Sequence, residues 1–304
     1  MTDQPEFDAI EAIRRRQPPD GRVAFGIGDD TALLWGGPAD WLVTVDMILE
    51  HVHFRPGTPL DLVGRKSLAV NLSDLAAMAG RPVAALVAMG IPSGYSARQI
   101  DDVYRGIEDL AREFHVAIVG GDTNRSHSGL VISITLLGHP TGKGAVTRSG
   151  AQPGDILMVT GKLGGSLAGR HLSFQPRVEE ACRLHELVGL HAMMDLSDGL
   201  AGDIFHLSKE SRCGIIIDVN LLPIHDDVVP DGRSTINHAL HDGEDFELLF
   251  AVSPADADRL MSTQPLKPIP VSRIGEVVAG SEASMRQIDG SLSRLQPGGY
   301  VHRF

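Results

Sequence analysis

The sequence predicts a two-domain protein of mixed α/β (α+β) class, on three observations. The chain has 304 residues, about twice what one compact core usually organises. Short apolar runs rich in Val and Ile alternate with stretches of helical periodicity along most of its length. Glycine is abundant at 34 residues while aromatics make up only 5%, which favours tight backbone turns over an aromatic-anchored β-sandwich. With 42% apolar and 22% charged residues, the chain has enough apolar surface to bury, and a largely disordered chain is excluded.

The elements follow in order. Met1 to Asp20 is polar and places Arg14, Arg15 and Arg16 on a short helix; it lacks the apolar core of a signal peptide. Trp41 to Val45 reads as a β-branched strand ending at Asp46. Leu60 to Met78 has apolar residues at helical spacing and stops at Gly80 and Pro82. Val83 to Met89 is a buried strand, Ser96 to Phe114 a second helix, Val116 to Val119 a strand running into Gly120-Gly121-Asp122, and Leu130 to Leu137 another. Gly138 to Gly154, rich in Gly, Pro and Lys, is the candidate linker, so the expected units are 1–140 and 141–304. The second unit opens with strand Ile156 to Thr160, a glycine-rich turn from Gly161 to Gly169 and a helix. A helix starting near Asp198 and strands Ile215 to Val219, Phe246 to Val252 and Val271 to Val278 complete it.

Charge narrows the function. Twenty-seven basic against 39 acidic residues leave a net charge of −12, and no basic stripe is visible, so neither nucleic acid nor an anionic membrane is an expected partner. No apolar run approaches the length needed to span a bilayer. Two distant cysteines, Cys182 and Cys213, suit neither a disulfide scaffold nor zinc, and the expected location is the reducing cytoplasm. A phosphorylated ligand remains compatible with this charge if divalent cations stand between protein and polyanion.

Six segments place acids beside glycine or at the end of an apolar run: Gly28-Asp29-Asp30, Thr44-Val45-Asp46, Asn71-Leu72-Ser73-Asp74, Gly120-Gly121-Asp122, Asp195-Leu196-Ser197-Asp198-Gly199 and Asp242-Gly243-Glu244-Asp245. Each alone reads equally as a turn or a helix cap. As a set they suggest more. Asp46 and Asp122 are expected at strand ends, where open α/β folds bind ligands. Asn71 and Asp74 share one helix face, and Asp74 interrupts an apolar stretch, so it should point into a partly buried site. Buried carboxylates need a counter-charge, nearby Lys and Arg are too few, and carboxylates with Ser or Thr hydroxyls suit Mg²⁺. No Walker A loop, dinucleotide turn, protein-kinase signature or nucleophile elbow is present. Gly161 to Gly169 is either a phosphate-facing nest or a tight strand-to-helix turn. His51-x-His53, read as alternating strand residues, does not amount to a zinc pair.

These segments, with His51-Val52-His53-Phe54, Lys66 and Gly243-Glu244-Asp245-Phe246-Glu247-Leu248-Leu249, resemble in kind and order the thiamine-monophosphate kinase family of the aminoimidazole ribonucleotide synthetase-like superfamily. The resemblance runs from about residue 26 to the C-terminus. It implies ATP-dependent phosphorylation of thiamine phosphate to thiamine diphosphate by direct in-line transfer with several Mg²⁺ ions, in a homodimer whose N-terminal sheets pair into a shared barrel. It further implies metal ligands at Asp30, Thr44, Asp46, Asp74, Asp122, Asp195 and Asp198, with Val45 contributing only its backbone carbonyl. Nucleotide contacts are implied at Tyr104, Gly121, Asp122, Arg148 and Ser197, and substrate contacts at His53, Glu244 and Tyr300. Residue by residue, a second reading stands beside each role: Arg148 as a solvated loop residue, His53 as a strand cap, Tyr300 as C-terminal packing. Departures from the family pattern are Val45 for a hydroxyl residue, Asp122 where Asn is common, His241-Asp242-Gly243 for a Gly-Gly lead-in, and Tyr300 for Trp. No catalytic base is expected, because the acceptor phosphate is already an oxyanion. The competing readings are another ATP-using enzyme of the superfamily and a non-catalytic nucleotide- and metal-binding module. A selenophosphate synthetase is disfavoured because no Cys precedes Cys182, and a hydrogenase-maturation relative because the chain ends without Cys.

Overall fold

Two separate β-sheets organise the chain in the computed structural model, which describes residues 5–16, 20–36 and 39–300. The readings of the N-terminal segment and of the C-terminal end bear in part on residues 1–4, 17–19 and 301–304, which lie outside the described residues. In the first part, α1 (Pro5–Arg16) precedes β1 (Val23–Phe25), β2 (Ala32–Leu34) and β3 (Trp41–Leu49). There follow α2 (Leu60–Ala77), β4 (Gly80–Pro92), α3 (Ala97–Glu113), β5 (Ala117–Ser126) and β6 (Val131–Pro140). The second part contains β7 (Ile156–Thr160), α4 (Val178–Leu187), β8 (Leu190–Asp195), α5 (Leu200–Ser211) and β9 (Gly214–Asp218). It continues through α6 (Thr235–His241), β10 (Leu248–Val252), α7 (Pro254–Thr263), β11 (Val271–Val278), β12 (Ala283–Arg286) and β13 (Leu292–Arg294).

The first sheet has the order β1-β2-β3-β6-β4-β5 and the second β13-β12-β9-β11-β7-β10-β8. Only β4–β5 and β12–β9 pair in parallel. The mixed α/β class is therefore observed, with antiparallel pairing dominant. Central strands β7 and β10 are buried on both faces, as their unbroken apolar runs require. Along β3, by contrast, burial alternates: Leu42, Thr44 and Ile48 turn inward while Val45 and Met47 face out.

Helix α2 lies at the centre. Its buried positions run round the whole helix, because it is covered by the first sheet, by α3 and by α4 and β8 of the second part. Gly64 of α2 and Gly106 of α3 mark the crossing, where any side chain would collide with the Asp61 or Val103 carbonyl of the opposing helix. One core cluster continues from the inner face of the first sheet through α2 and α3 to one face of the second sheet; a smaller cluster fills that sheet's other face beneath α5. Among the described residues no helix is long and apolar enough to cross a membrane.

Several boundaries differ from expectation. Strand β3 continues through Asp46 to Leu49, and β5 continues through Gly120-Gly121-Asp122 to Ser126, so neither Asp46 nor Asp122 stands at a strand end. On β3 the period-two alternation simply carries past the acid. Gly80 and Pro82 belong to β4, and the reversal after α2 falls at Ala79, whose φ is 54°. His51 to His53 form a turn after β3 rather than alternating strand positions. Two short 3-10 turns, Ser166–Ala168 and Arg170–Leu172, fill the glycine-rich segment before α4.

Candidate active site

Three remote segments bring their acids together where α2 meets the end of β8. Asp30 sits in the turn between β1 and β2, Asp74 in the last turns of α2, and Asp195 at the end of β8. Each offers a carboxylate oxygen within 4.8 Å of the others. Hydroxyls support them: Thr44 Oγ1 donates to Asp74 Oδ2 at 2.6 Å and Ser73 Oγ to Asp195 Oδ2 at 2.6 Å. Asn71 accepts the Asp46 amide at 3.1 Å and donates to the Ser67 carbonyl, fixing β3 to α2.

One cation answers these acids. Arg148 grips Asp30 in two-point fashion, Nε to Oδ2 at 2.9 Å and Nη2 to Oδ1 at 2.7 Å, while its amide donates to Asp29. It is not a solvated loop residue. Burial pulls its guanidinium down, but the charge of Asp30 and the hydrogen bonds to it more than offset that and raise it above its ordinary value. The remaining carboxylates are under-compensated. Burial, then the charges of Asp46, Asp195 and Asp30, raise Asp74 well above the usual carboxylate range. Burial and Asp30 push Asp195 up to about 8. Burial likewise lifts Asp46 to about 6, against a lowering hydrogen bond with Asp74. Three converging carboxylates, with Asp46 hydrogen-bonded to Asp74 and the guanidinium bonded to Asp30, fit a hard divalent cation such as Mg²⁺.

Beside this cluster opens a cleft of about 360 Å³. Asp46, His53, Ser197, Asp198, Glu244 and Tyr300 all line it, so six sequence-predicted residues share one cavity. His53 caps the end of β3, its Nδ1 accepting the Leu49 amide at 3.0 Å, and still reaches the cleft wall. Tyr300 is half exposed, its amide donating to the Asp198 carbonyl at 3.1 Å.

Other predicted residues stand apart. Val45 points outward from the sheet, 61% exposed, which leaves only its backbone on the acidic side. Gly121 and Asp122 lie on the exposed edge strand β5, where Asp122 accepts from Asn124 at 2.6 Å; β6 and β4 separate that strand from β3. Tyr104, on α3, packs half-buried against the core and does not line the cleft. The glycine-rich turn is not a vacant nest: Gly164 N–H donates to Asp245 and Gly165 N–H to Asp242.

Sequence reasoning missed one group of interactions. Lys66 Nζ contacts Glu244 Oε1 at 2.6 Å, the His53 carbonyl at 2.8 Å and His171 Nδ1 at 3.0 Å, and His171 Nδ1 lies 2.9 Å from Glu244 Oε2. Glu244 is therefore not a bare anion waiting for a cationic ligand. Burial pushes its carboxyl up, but His171 and Lys66 more than offset this and hold it below the usual range. A lysine opening the apolar run from Ser67 was the available signal; nothing in the sequence marks His171.

Residues 28–139 match the family model described as AIR synthase related protein, N-terminal domain, and residues 152–287 its C-terminal domain. A thiamine-monophosphate kinase of Rhodopirellula baltica is 40% identical over 95% of this chain and 94% of its own length. That of Bacillus subtilis is 34% identical over 98% and 99%. The solved structure of AaThiL complexed with AMPPCP and TMP superposes with a TM-score of 0.85 at 28% identity, covering 98% of this chain and 97% of that one. The chain belongs to the thiamine-monophosphate kinases, within the AIR synthase related proteins.

Proposed function

We propose that the protein transfers the terminal phosphoryl group of ATP to thiamine phosphate, giving thiamine diphosphate by direct in-line displacement. The observation that carries this reading is the convergence of Asp30, Asp74 and Asp195 beside a cleft walled by His53, Glu244 and Tyr300. Such a transfer needs positioning and charge neutralisation more than covalent help.

In this reading Asp30, Thr44, Asp46, Asp74, Asp122, Asp195 and Asp198, with the Val45 carbonyl, hold Mg²⁺. Bound Mg²⁺ supplies charge neutralisation and Lewis-acid polarisation of the phosphates. Arg148 keeps Asp30 oriented and adds a positive charge on the nucleotide side, shared with Tyr104, Gly121, Asp122 and Ser197. His53 and Glu244 orient the acceptor, and the face of Tyr300 receives the cationic ring of thiamine. The 1–140 unit carries the nucleotide and metal side, and the 141–304 unit completes the acceptor side.

The working form in this reading is a cytoplasmic homodimer. The outer face of the first sheet exposes Val45, Met47, Leu86 and Val119, a row of apolar side chains that water covers poorly. Pairing two such sheets buries that row. In this reading Gly121 and Asp122, remote from the cleft of their own chain, serve a cleft of the partner.

The test is formation of thiamine diphosphate from thiamine phosphate, ATP and Mg²⁺. Product is expected. Well-folded protein that binds ATP and yields none would favour a non-catalytic binding module.

A further inference from the structure

The acceptor end of the cleft rests on a buried ammonium that the chemistry above does not use. Lys66 is among the largest fully buried side chains of the described residues, with no exposed surface. Removing a lysine from water is costly unless it is paired, and here two of its partners, Glu244 and His53, line the cleft while His171 stands behind them. Its ammonium holds Glu244 Oε1 and the His53 carbonyl, while His171 holds Glu244 Oε2. Three segments meet on it: the turn after β3, the 3-10 turn Arg170–Leu172 and the loop before β10. That last loop is fixed from its other side, since Glu244 has φ 51° and donates its amide to the Ser197 carbonyl at 2.7 Å.

Lys66 cannot touch a ligand. Whatever it does for the reaction passes through Glu244 and His53, which line the cleft. We propose that Lys66 is a positioning residue for the acceptor: it fixes Glu244 and His53 and cancels the Glu244 charge. The wall then meets a phosphate-bearing cation as an ordered hydrogen-bonding surface rather than as an anion. The inference rests on the thiamine-phosphate reading of this cleft. A bare carboxylate here would favour the thiamine ring but repel the phosphate attached to it; a neutralised one discriminates by geometry. ATP, placed at the Asp30–Asp74–Asp195 end, should be almost indifferent to Lys66.

The test is the kinetics of Lys66→Met, which keeps the length and removes the charge, with kcat and KM measured for each substrate. The expected result is a KM for thiamine phosphate raised at least about tenfold with the KM for ATP within about twofold (about 1.4 kcal/mol against under 0.5). Combining it with Glu244→Gln should raise the KM for thiamine phosphate by less than the product of the two single effects, because the Glu244 part of each is shared while the His53 part is not. Equal changes in both KM values, or a loss confined to kcat, would overturn the inference. Should Lys66→Met fail to fold, His171→Ala decides, since that half-buried partner frees the other Glu244 oxygen: a selective rise in KM for thiamine phosphate supports the proposal, and no rise overturns it. A parent chain that makes no thiamine diphosphate defeats the functional reading and this inference together. An active parent with insensitive variants defeats the inference alone.

Discussion

The acid cluster beside the cleft (the inner end) and the acceptor wall of the cleft (the outer end) treat negative charge in opposite ways. In the acid cluster the Arg148 guanidinium bonds Asp30, and burial leaves Asp46, Asp74 and Asp195 with carboxyls raised above their ordinary range. At the outer end, Glu244 has an ammonium on one oxygen and an imidazole nitrogen at the other, and its carboxyl is lowered. The same functional group, a carboxylate, is thus left under-compensated at one end and fully compensated at the other. An under-compensated cluster stores a demand for cations that only a ligand can meet. A compensated carboxylate is preorganised and asks for nothing, so it can serve orientation.

The largest effect should come from the under-compensated end. Asp74→Asn removes a carboxylate that burial and the charges of Asp46, Asp195 and Asp30 all raise. It is expected to lower turnover by about 10²–10³-fold, corresponding to roughly 3–4 kcal/mol of lost charge stabilisation, and to raise the Mg²⁺ concentration for half-maximal rate. A steady-state Mg²⁺ titration checks it, and a mutant as active as the parent would erase the contrast between the ends.

At the outer end the expected effects are smaller and specific to one substrate. Tyr300→Ala should raise the KM for thiamine phosphate about fivefold, on the order of 1 kcal/mol for a cation–π contact, and leave the KM for ATP unchanged. Equal effects on both substrates would remove Tyr300 from the acceptor wall.

Smallest is a shift in stability with pH. Asp195 and Asp46 titrate near 8 and 6 in the folded chain, against about 3.9 when unfolded. Between about pH 4 and 8 the folded state therefore holds protons that the unfolded state has released, so stability falls as pH rises through that window. Metal-free protein should lose a few degrees of Tm between pH 6 and pH 8 by thermal-shift measurement. Added Mg²⁺ should reverse the loss, and more so at pH 8. A metal-free Tm that climbs over this range would contradict the picture of the inner end.

How much of this was readable in the sequence follows from distance along the chain. Alternation on β3, the capped helix α3 and the unbroken runs of β7 and β10 are local patterns and appear where expected. Strand β8 escaped notice because its six residues, Leu190–Asp195, carry a histidine and two methionines rather than a β-branched run. Helices α6 and α7 are short, and their sequences rest on Ser caps rather than on strong apolar periodicity. At the site, the acids drew attention because aspartates in apolar or glycine-rich surroundings are chemically conspicuous. Whether Asp30, Asp74 and Asp195 converge depends on how α2 packs against β8, which no local pattern encodes. The Lys66–Glu244 pair joins residues 178 positions apart, and His171 enters it from an irregular turn. Asp46 was assigned to the right region on the wrong ground, since it lies within β3 and gains its place from the inward face of that strand.

The most direct test of the central claim is calorimetric titration of ATP into the protein, with and without Mg²⁺, for the parent and Asp74→Asn. If the inner carboxylates bind the nucleotide only through cations, the parent should bind ATP with Mg²⁺, bind it far more weakly in chelator, and lose most of that difference in Asp74→Asn. Binding of equal strength in chelator and in Mg²⁺, unchanged by the substitution, would contradict the account.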